Sequence, residues 1–318
     1  MSHQDEISLT GLDGANPLGF FAALGCLHLL DAHANEHGHP APRLSWRNVG
    51  TWQAILHDVP DMATIVERLV AAIPLVQQEP ILEFAYDADG QRAKPSAGKV
   101  QRELKPVPET MRQFFAELMD DPEKRTGLDL LEALVTEVGT DRSGRVKPSA
   151  LHFLAGQQRF LTAASSLCQG VDQGQIQRAL VGPWNPDSEL PTFSWDSSVT
   201  RLYALRADDP SLGRNKKLCE PGAEWLALCG LRCFASAPVA GRIQTTGISG
   251  GWKSGRFSWP LWEDPAGIRE VRALLRLDEL HNLGADKRKA IGILALCTCG
   301  IQRSDQGGYG SFQPANIN

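Results

Sequence analysis

Long apolar runs are missing from this 318-residue chain. A membrane-spanning helix needs about 18 or more consecutive apolar residues, and the longest run, Leu18 to Leu30, is broken by Gly19, Gly25 and His28. A basic amino-terminal region is missing too. The chain starts Met-Ser-His-Gln-Asp-Glu, acidic where an export signal is basic, and no small-residue cleavage site follows the apolar run. The expectation is a cytoplasmic protein without a membrane partner.

Paired Cys-x2-Cys motifs are also lacking. Seven cysteines (Cys26, Cys168, Cys219, Cys229, Cys233, Cys297 and Cys299) sit mostly in apolar stretches such as "LALCGLRCF" and "ILALCTCGI". Their odd number and their Cys-x3-Cys and Cys-x-Cys spacings read as buried reduced thiols, not as a zinc site.

Nucleotide-binding loops are absent. Gly11, Gly14 and Gly19 lead from a strand into a helix, but their spacing is not Gly-x-Gly-x-x-Gly, and there is no Gly-x4-Gly-Lys-Ser/Thr. Asp31 stands where a dinucleotide site wants an acidic residue, yet at a helix end, not a strand end. No Gly-x-Ser-x-Gly elbow occurs; Ser249 in "GISGG" is a near miss that reads as turn chemistry. His28, His33, His37 and His39 cluster in "HLLDAHANEHGH"; a His-rich tract can bind metal adventitiously, but with no carboxylate at metalloprotease spacing it reads as a solvated loop. His57, His152 and His281 stand singly and read as structural. Glu67, Glu117, Glu132, Asp278 and Glu279 read as solvated helix faces. No catalytic residue, cofactor or metal is expected.

What is present is a soluble globular composition: 42% apolar, 22% charged, with a net charge of -5 and an isoelectric point near 5.9. The length suits one large domain or two modest ones. An acidic chain needs local basic patches to hold a nucleic acid.

"ISLTGL" (7–12) alternates as a strand does. Asn16-Pro17 then caps and starts a helix to about Ala32, apolar on most sides and so buried. "PRLSWRNVGTW" holds a second strand, 60–73 an amphipathic helix, and "ILEFAYD" (81–87) a third strand. This alternation predicts an α+β fold of ferredoxin-like or RRM-like strand–helix units, with inserted helices and long basic loops. Helices follow at "ETMRQFFAELMD", "GLDLLEALVTEVG" and 151–170, strands at 192–206, and a helix at 219–234. Two strands around a Gly-rich turn span 242–262, a charged helix 267–280, and a strand and open tail end the chain. The regions are 1–170, with a basic loop at 88–109, and 171–318, or one continuous domain.

The helix at 219–234 echoes the first one. Pro17, Phe21, Ala23, Leu24 and Leu27 match Pro221, Trp225, Ala227, Leu228 and Leu231, with Gly25 and Gly230 displaced by one position. Either two buried helices entered through proline converge on this pattern, or a strand–helix unit was duplicated.

The remaining signal is basic loops interleaved with aromatics. The candidate nucleic-acid-binding residues are Arg92, Lys94, Lys99, Arg102 and Lys105 in the first loop, Arg145 and Lys147 in a second turn, and Lys216 and Lys217 in "LGRNKK". Trp252, Lys253, Arg256 and Phe257 in "GGWKSGRFSWPLW" complete the set. Lysine and arginine beside phosphates release counterions, while aromatics stack on bases or wedge into a groove.

"NPLGFFAALGCLHLL", "LHFLAGQQRFL", "EPGAEWLALCGL" and "GWKSGRFSWPLW", in this order, resemble accessory and large-subunit-like proteins of type I-U (I-G) CRISPR effector complexes. The resemblance covers about a third of the chain. It implies a non-catalytic subunit of a crRNA-guided complex, with crRNA, target DNA and other effector subunits as partners. The alternatives are a hydrolase-like enzyme with a site assembled from scattered residues, or a protein-interaction scaffold.

Overall fold

The computed structural model describes residues 6–153, 159–198, 218–239, 242–251, 253–277, 280, 282–303 and 310–318. Strand β1 (Ile7–Asp13) buries Leu9 and Leu12 and ends in a tight turn. There Asp13 Oδ1 accepts from the N–H groups of Ala15 and Trp52. Asn16 caps helix α1 (Pro17–His37): its Oδ1 accepts from Leu18 N–H at 3.1 Å, and Pro17 fills the first helical position. The helix is buried almost continuously from Pro17 to Leu30, as its all-round apolar character requires. By length and composition it would cross a membrane, but 78% of its apolar stretch is buried inside the protein.

Strands β2 (Arg43–Asn48) and β3 (Trp52–His57) form a hairpin, and β1 adds to β3, giving an antiparallel sheet of order β1-β3-β2. Helix α2 (Met62–Gln77) starts at Asp61, whose side chain accepts from Thr64 N–H at 2.8 Å. The strand expected at 81–87 does not form. Pro80 opens a 3-10 turn over Pro80–Glu83, and an extended stretch follows to Tyr86. Glu79, just before the turn, is drawn inward by an ion pair with the buried Arg232.

Helices α3 (Pro108–Asp120), α4 (Leu128–Leu134), α5 (Phe160–Gly170) and α6 (Gln173–Val181) follow. The helix expected over 151–170 thus starts at Phe160; residues 151–153 are not helical, and 154–158 lie outside the described residues. Composition gives no warning of α6, although Asp172 and Gln175 form a reciprocal capping box at its start. Of the strands expected at 192–206, residues 192–198 form none, and 199–206 lie outside the described residues.

Helix α7 (Pro221–Gly230) is buried along its whole length. A two-stranded hairpin, β4 (Ser236–Val239) and β5 (Arg242–Thr245), precedes the second sheet. That sheet is antiparallel, ordered β10-β8-β7-β6, with β9 also paired to β8. Its members are β6 (Ile248–Ser249), β7 (Arg256–Trp262), β8 (Ile293–Arg303), β9 (Gly310–Phe312) and β10 (Asn316–Ile317). Helices α8 (Ile268–Leu275) and α9 (Ala285–Ala290) lie between β7 and β8. The architecture is mixed α+β with small antiparallel sheets.

The sheets are stitched together across the first helix. Trp259 and Trp262 donate their indole N–H groups to the carbonyls of Gly14 (2.8 Å) and Leu44 (2.6 Å). Leu44 and Ala266 exchange both backbone hydrogen bonds at 2.9 Å. Phe20 stacks on Trp46, and Phe21 packs against Trp195, Phe234 and Phe257. One apolar core therefore runs from Leu9 to Phe312 with no break near residue 170. All seven cysteines are buried free thiols, and burial pushes Cys168, Cys233, Cys297 and Cys299 up to about 12.

At the centre α1 and α7 touch backbone to backbone. A Cβ on Gly25 would lie 1.8 Å from the Leu226 carbonyl oxygen, and one on Gly230 would lie 2.0 Å from that of Phe21. The glycines are mutual neighbours as well, since a Gly230 Cβ would meet Gly25 N at 2.9 Å. Gly25→Ala should therefore cost at least about 2 kcal/mol, overpacking outweighing the roughly 1 kcal/mol gained from better helix propensity. Chemical denaturation measures this; a neutral or stabilised Gly25→Ala protein would contradict the close crossing.

Candidate nucleic-acid interface

The first basic segment is a loop closed at its base by Tyr86. Tyr86 N–H donates to the Gln101 carbonyl at 3.1 Å, and Gln101 N–H returns to Tyr86 at 2.7 Å. Residues 87–100 form the excursion between these points. Lys94 and Lys99 are exposed on it, and Lys99 holds a left-handed backbone (φ 61°) that is uncommon outside glycine. Lys105 is exposed just past the base.

The stem of the loop uses its charged residues for anchoring. The Arg92 guanidinium lies over the rings of Phe84 and Phe114, 4.7 and 4.5 Å from their centroids. Burial there lowers its pKa against the opposing charge of Glu117. Arg102 donates through Nη2 to the Leu82 carbonyl (2.5 Å) and to Ser165 Oγ (2.6 Å). It also lines a small cleft of about 70 Å³ with Gln77, Leu82, Glu83, Ser165, Cys168 and Gln169, room for a few waters.

Glu103 is the deepest anchor. One carboxylate oxygen accepts from Leu104 N–H (2.8 Å) and lies 2.7 Å from His152 Nε2, and the other accepts from Phe160 N–H (3.0 Å) at the start of α5. Burial pushes its pKa up, but the charge of His152 and these hydrogen bonds outweigh that and hold it at about 2. The pair fastens the loop to α5, and the His152 ring stacks on Phe160.

The second basic segment folds onto the first. Asp141 Oδ1 accepts from Ser143 N–H, Ser143 Oγ and Arg145 N–H, which closes the turn. Burial raises the Asp141 pKa, but these bonds and the nearby Lys105 charge hold it below the usual carboxylate range. Arg145 Nη2 donates to the Ala88 carbonyl at 2.9 Å, and Val146 N–H to the Pro106 carbonyl at 2.9 Å. Residues 88–107 and 139–147 thus form one surface, where Lys94, Lys99, Lys105 and Lys147 are exposed. Arg142 is exposed on the same turn; nothing in the sequence separates it from Arg145, whose role is to brace.

The third segment, the turn between β6 and β7, exposes Lys253 and Arg256. It joins β8 through Ile301 N–H, which donates to the Gly255 carbonyl at 2.8 Å. At the end of β8, Arg303 donates to the Ala150 carbonyl (2.7 Å) and lies over the Phe153 ring. Burial lowers the Arg303 pKa to about 10. Lys216, Lys217 and Trp252 lie outside the described residues.

Several expected roles therefore change. Phe257 is fully buried, stacked on Trp259 and packed on Phe21 and Phe312, so it has no free face for a base. It lies in a strand buried on both faces from Phe257 to Trp262, which the mixed run "RFSWPLW" disguises. Arg102 and Arg145 each donate through Nη2 to a backbone carbonyl, and the exposed Arg92 lies over two rings. Compared with known proteins, the chain matches no family model, no curated protein and no solved structure.

The Glu103 anchor has a defined pH signature. Its folded pKa lies below the ordinary value of 4.5, so its stabilisation is complete above that value and is lost as pH falls toward about 2. Glu103→Ala should cost about 3 kcal/mol at neutral pH. Urea unfolding of both proteins between pH 7 and 3 should show that gap narrowing below pH 4.5; a constant gap would contradict the assignment.

Proposed function

We propose that the chain is a non-catalytic, nucleic-acid-binding subunit of a cytoplasmic crRNA-guided complex, holding RNA or DNA by its phosphate backbone. The observation that carries this reading is the union of two basic segments, distant in sequence, into one surface fastened by Arg145 to Ala88 and Val146 to Pro106. Lys94, Lys99, Lys105 and Lys147 are exposed there, and a lysine ammonium suits a phosphate as a point charge. The stem below them is fixed by Arg92, Arg102 and Glu103, so the surface is held in place before a ligand arrives.

Two further features support the same reading. The four sequence blocks resemble type I-U effector subunits. The order β1-β3-β2, with α1 crossing between β1 and β2, agrees with the opening strands of a ferredoxin-like unit. Such a subunit takes guide RNA, target DNA or both, and other effector subunits, as partners. With Phe257 in the core, the surface reads backbone charge without base stacking at that position.

Replacing Lys94, Lys99, Lys105 and Lys147 by alanine should weaken binding to RNA or duplex DNA alike. The slope of log affinity against log salt should fall by about 0.7–0.9 for each phosphate that is no longer neutralised. An unchanged slope in a folded variant would overturn this reading.

A further inference from the structure

The cleft of about 70 Å³ at the stem of the basic surface has a mixed polar lining. Gln77 comes from the last turn of α2, Glu83 from the 3-10 turn, Ser165 and Gln169 from α5, and Arg102 from the return of the loop. The Arg102 guanidinium is only partly engaged. Nη2 makes its bonds to the Leu82 carbonyl and Ser165 Oγ, while Nε is buried without a partner. Ser165 Oγ accepts one of those bonds and keeps its own proton to give. Gln77 Nε2 donates to the Cys168 carbonyl at 2.8 Å, which leaves its amide oxygen as an acceptor. Glu83 and Gln169 are exposed. One cation, one carboxylate and neutral donors and acceptors therefore face one small space.

Size, charge and hydrogen bonding together select the ligand. The space holds a few waters, so a hydroxyl group enters it and a nucleobase ring does not. The carboxylate of Glu83 opposes the attraction of Arg102 for an anion, so a phosphate gains less here than beside the exposed lysines. Acceptors and donors stand side by side, which suits a group that both gives and takes a hydrogen bond. The ribose 2′-hydroxyl is such a group, and it is the group that separates RNA from DNA.

Position links the cleft to the basic surface. Lys99 and Lys105 lie three residues before and after Arg102, so their Cα atoms are at most about 11 Å from its own. Both lysines are exposed. A strand whose phosphates meet them passes within reach of the cleft.

We propose that this cleft takes a ribose 2′-hydroxyl of the bound strand and so makes RNA the preferred nucleic acid; the inference rests on the phosphate-binding reading above. Glu83 accepts the hydroxyl proton, and the Arg102 guanidinium and the Gln169 amide donate to its oxygen. A DNA strand lacks the hydroxyl and leaves these groups without that partner.

The test compares single-stranded RNA and DNA of one sequence by fluorescence anisotropy with the whole chain. RNA should bind about tenfold more tightly. RNA carrying 2′-O-methyl groups keeps the oxygen but loses the proton, and should fall to the DNA value. Glu83→Ala and Gln169→Ala alter exposed side chains, so thermal unfolding should be unchanged. Each should bring the ratio of RNA to DNA affinity down toward unity. Alanine at Lys94, Lys99, Lys105 and Lys147 should weaken binding of both strands and keep the ratio. Equal affinity for RNA and DNA, with the salt slope still set by those lysines, would overturn this inference and leave the phosphate-binding reading standing. An RNA preference that survives both Glu83→Ala and Gln169→Ala would overturn it as well. Failure of both strands to bind would overturn the inference and the reading together.

Discussion

The backbones of α1 and α7 meet where Gly25 faces the Leu226 carbonyl and Gly230 faces that of Phe21. Neither helix could sit where it does with a side chain at those points. The rest of the molecule is arranged around this crossing. One side of α1 supports the β1-β3-β2 sheet and the aromatic cluster of Phe20, Trp46, Trp259 and Trp262. Beyond α7 lie α6, which approaches it closely at Gly222, and the buried Arg232–Glu79 pair. Close packing of this kind transmits displacement, because interiors have little free volume in which to relax. Burial, with Arg232 and Arg272 nearby, pushes the pKa of His28 down to about 3.

The basic surface is built outward from that core by using charge twice. Arginines and an acidic residue in the stem make fixed hydrogen bonds to carbonyls and helix N–H groups, and lysines at the rim stay exposed. This division follows the chemistry of the two cations. A planar guanidinium satisfies several fixed acceptors at once, whereas a lysine ammonium is a compact, strongly hydrated point charge on a flexible stem. The Glu103–His152 pair completes the arrangement from below, since it ties the loop's return strand to the start of α5.

Much of this is legible in the sequence, and the failures have identifiable causes. The Asn16-Pro17 cap and all-round apolar character locate α1, and the matching helix at 221 is visible through the same Pro-entered pattern. That Gly25 and Gly230 of the two echoing helices face each other is not legible, because spacing along one helix says nothing about its partner. The segment 81–87 looks like a strand by composition, yet Pro80 and the inward pull on Glu79 produce a 3-10 turn. The basic segments stand out as charge-rich loops, but charge alone does not separate a bracing arginine from a solvated lysine. Phe257 misleads because an aromatic beside glycines and lysines looks exposed in sequence, while β7 is buried on both faces from Phe257 onward. The histidines read as a solvated loop; the C-cap turn that folds His39 back over His33 and His37 depends on Gly38, a signal present in the sequence.

Whether two segments distant in sequence act as one phosphate-binding surface is decided by lysine footprinting. The protein is acetylated with and without bound RNA, and modification is read by mass spectrometry. Lys94, Lys99, Lys105 and Lys147 should become protected together, while Lys287 and Lys289 on α9, at the far end of β8, stay reactive. Protection on α9 with the four loop lysines still reactive would contradict a shared surface.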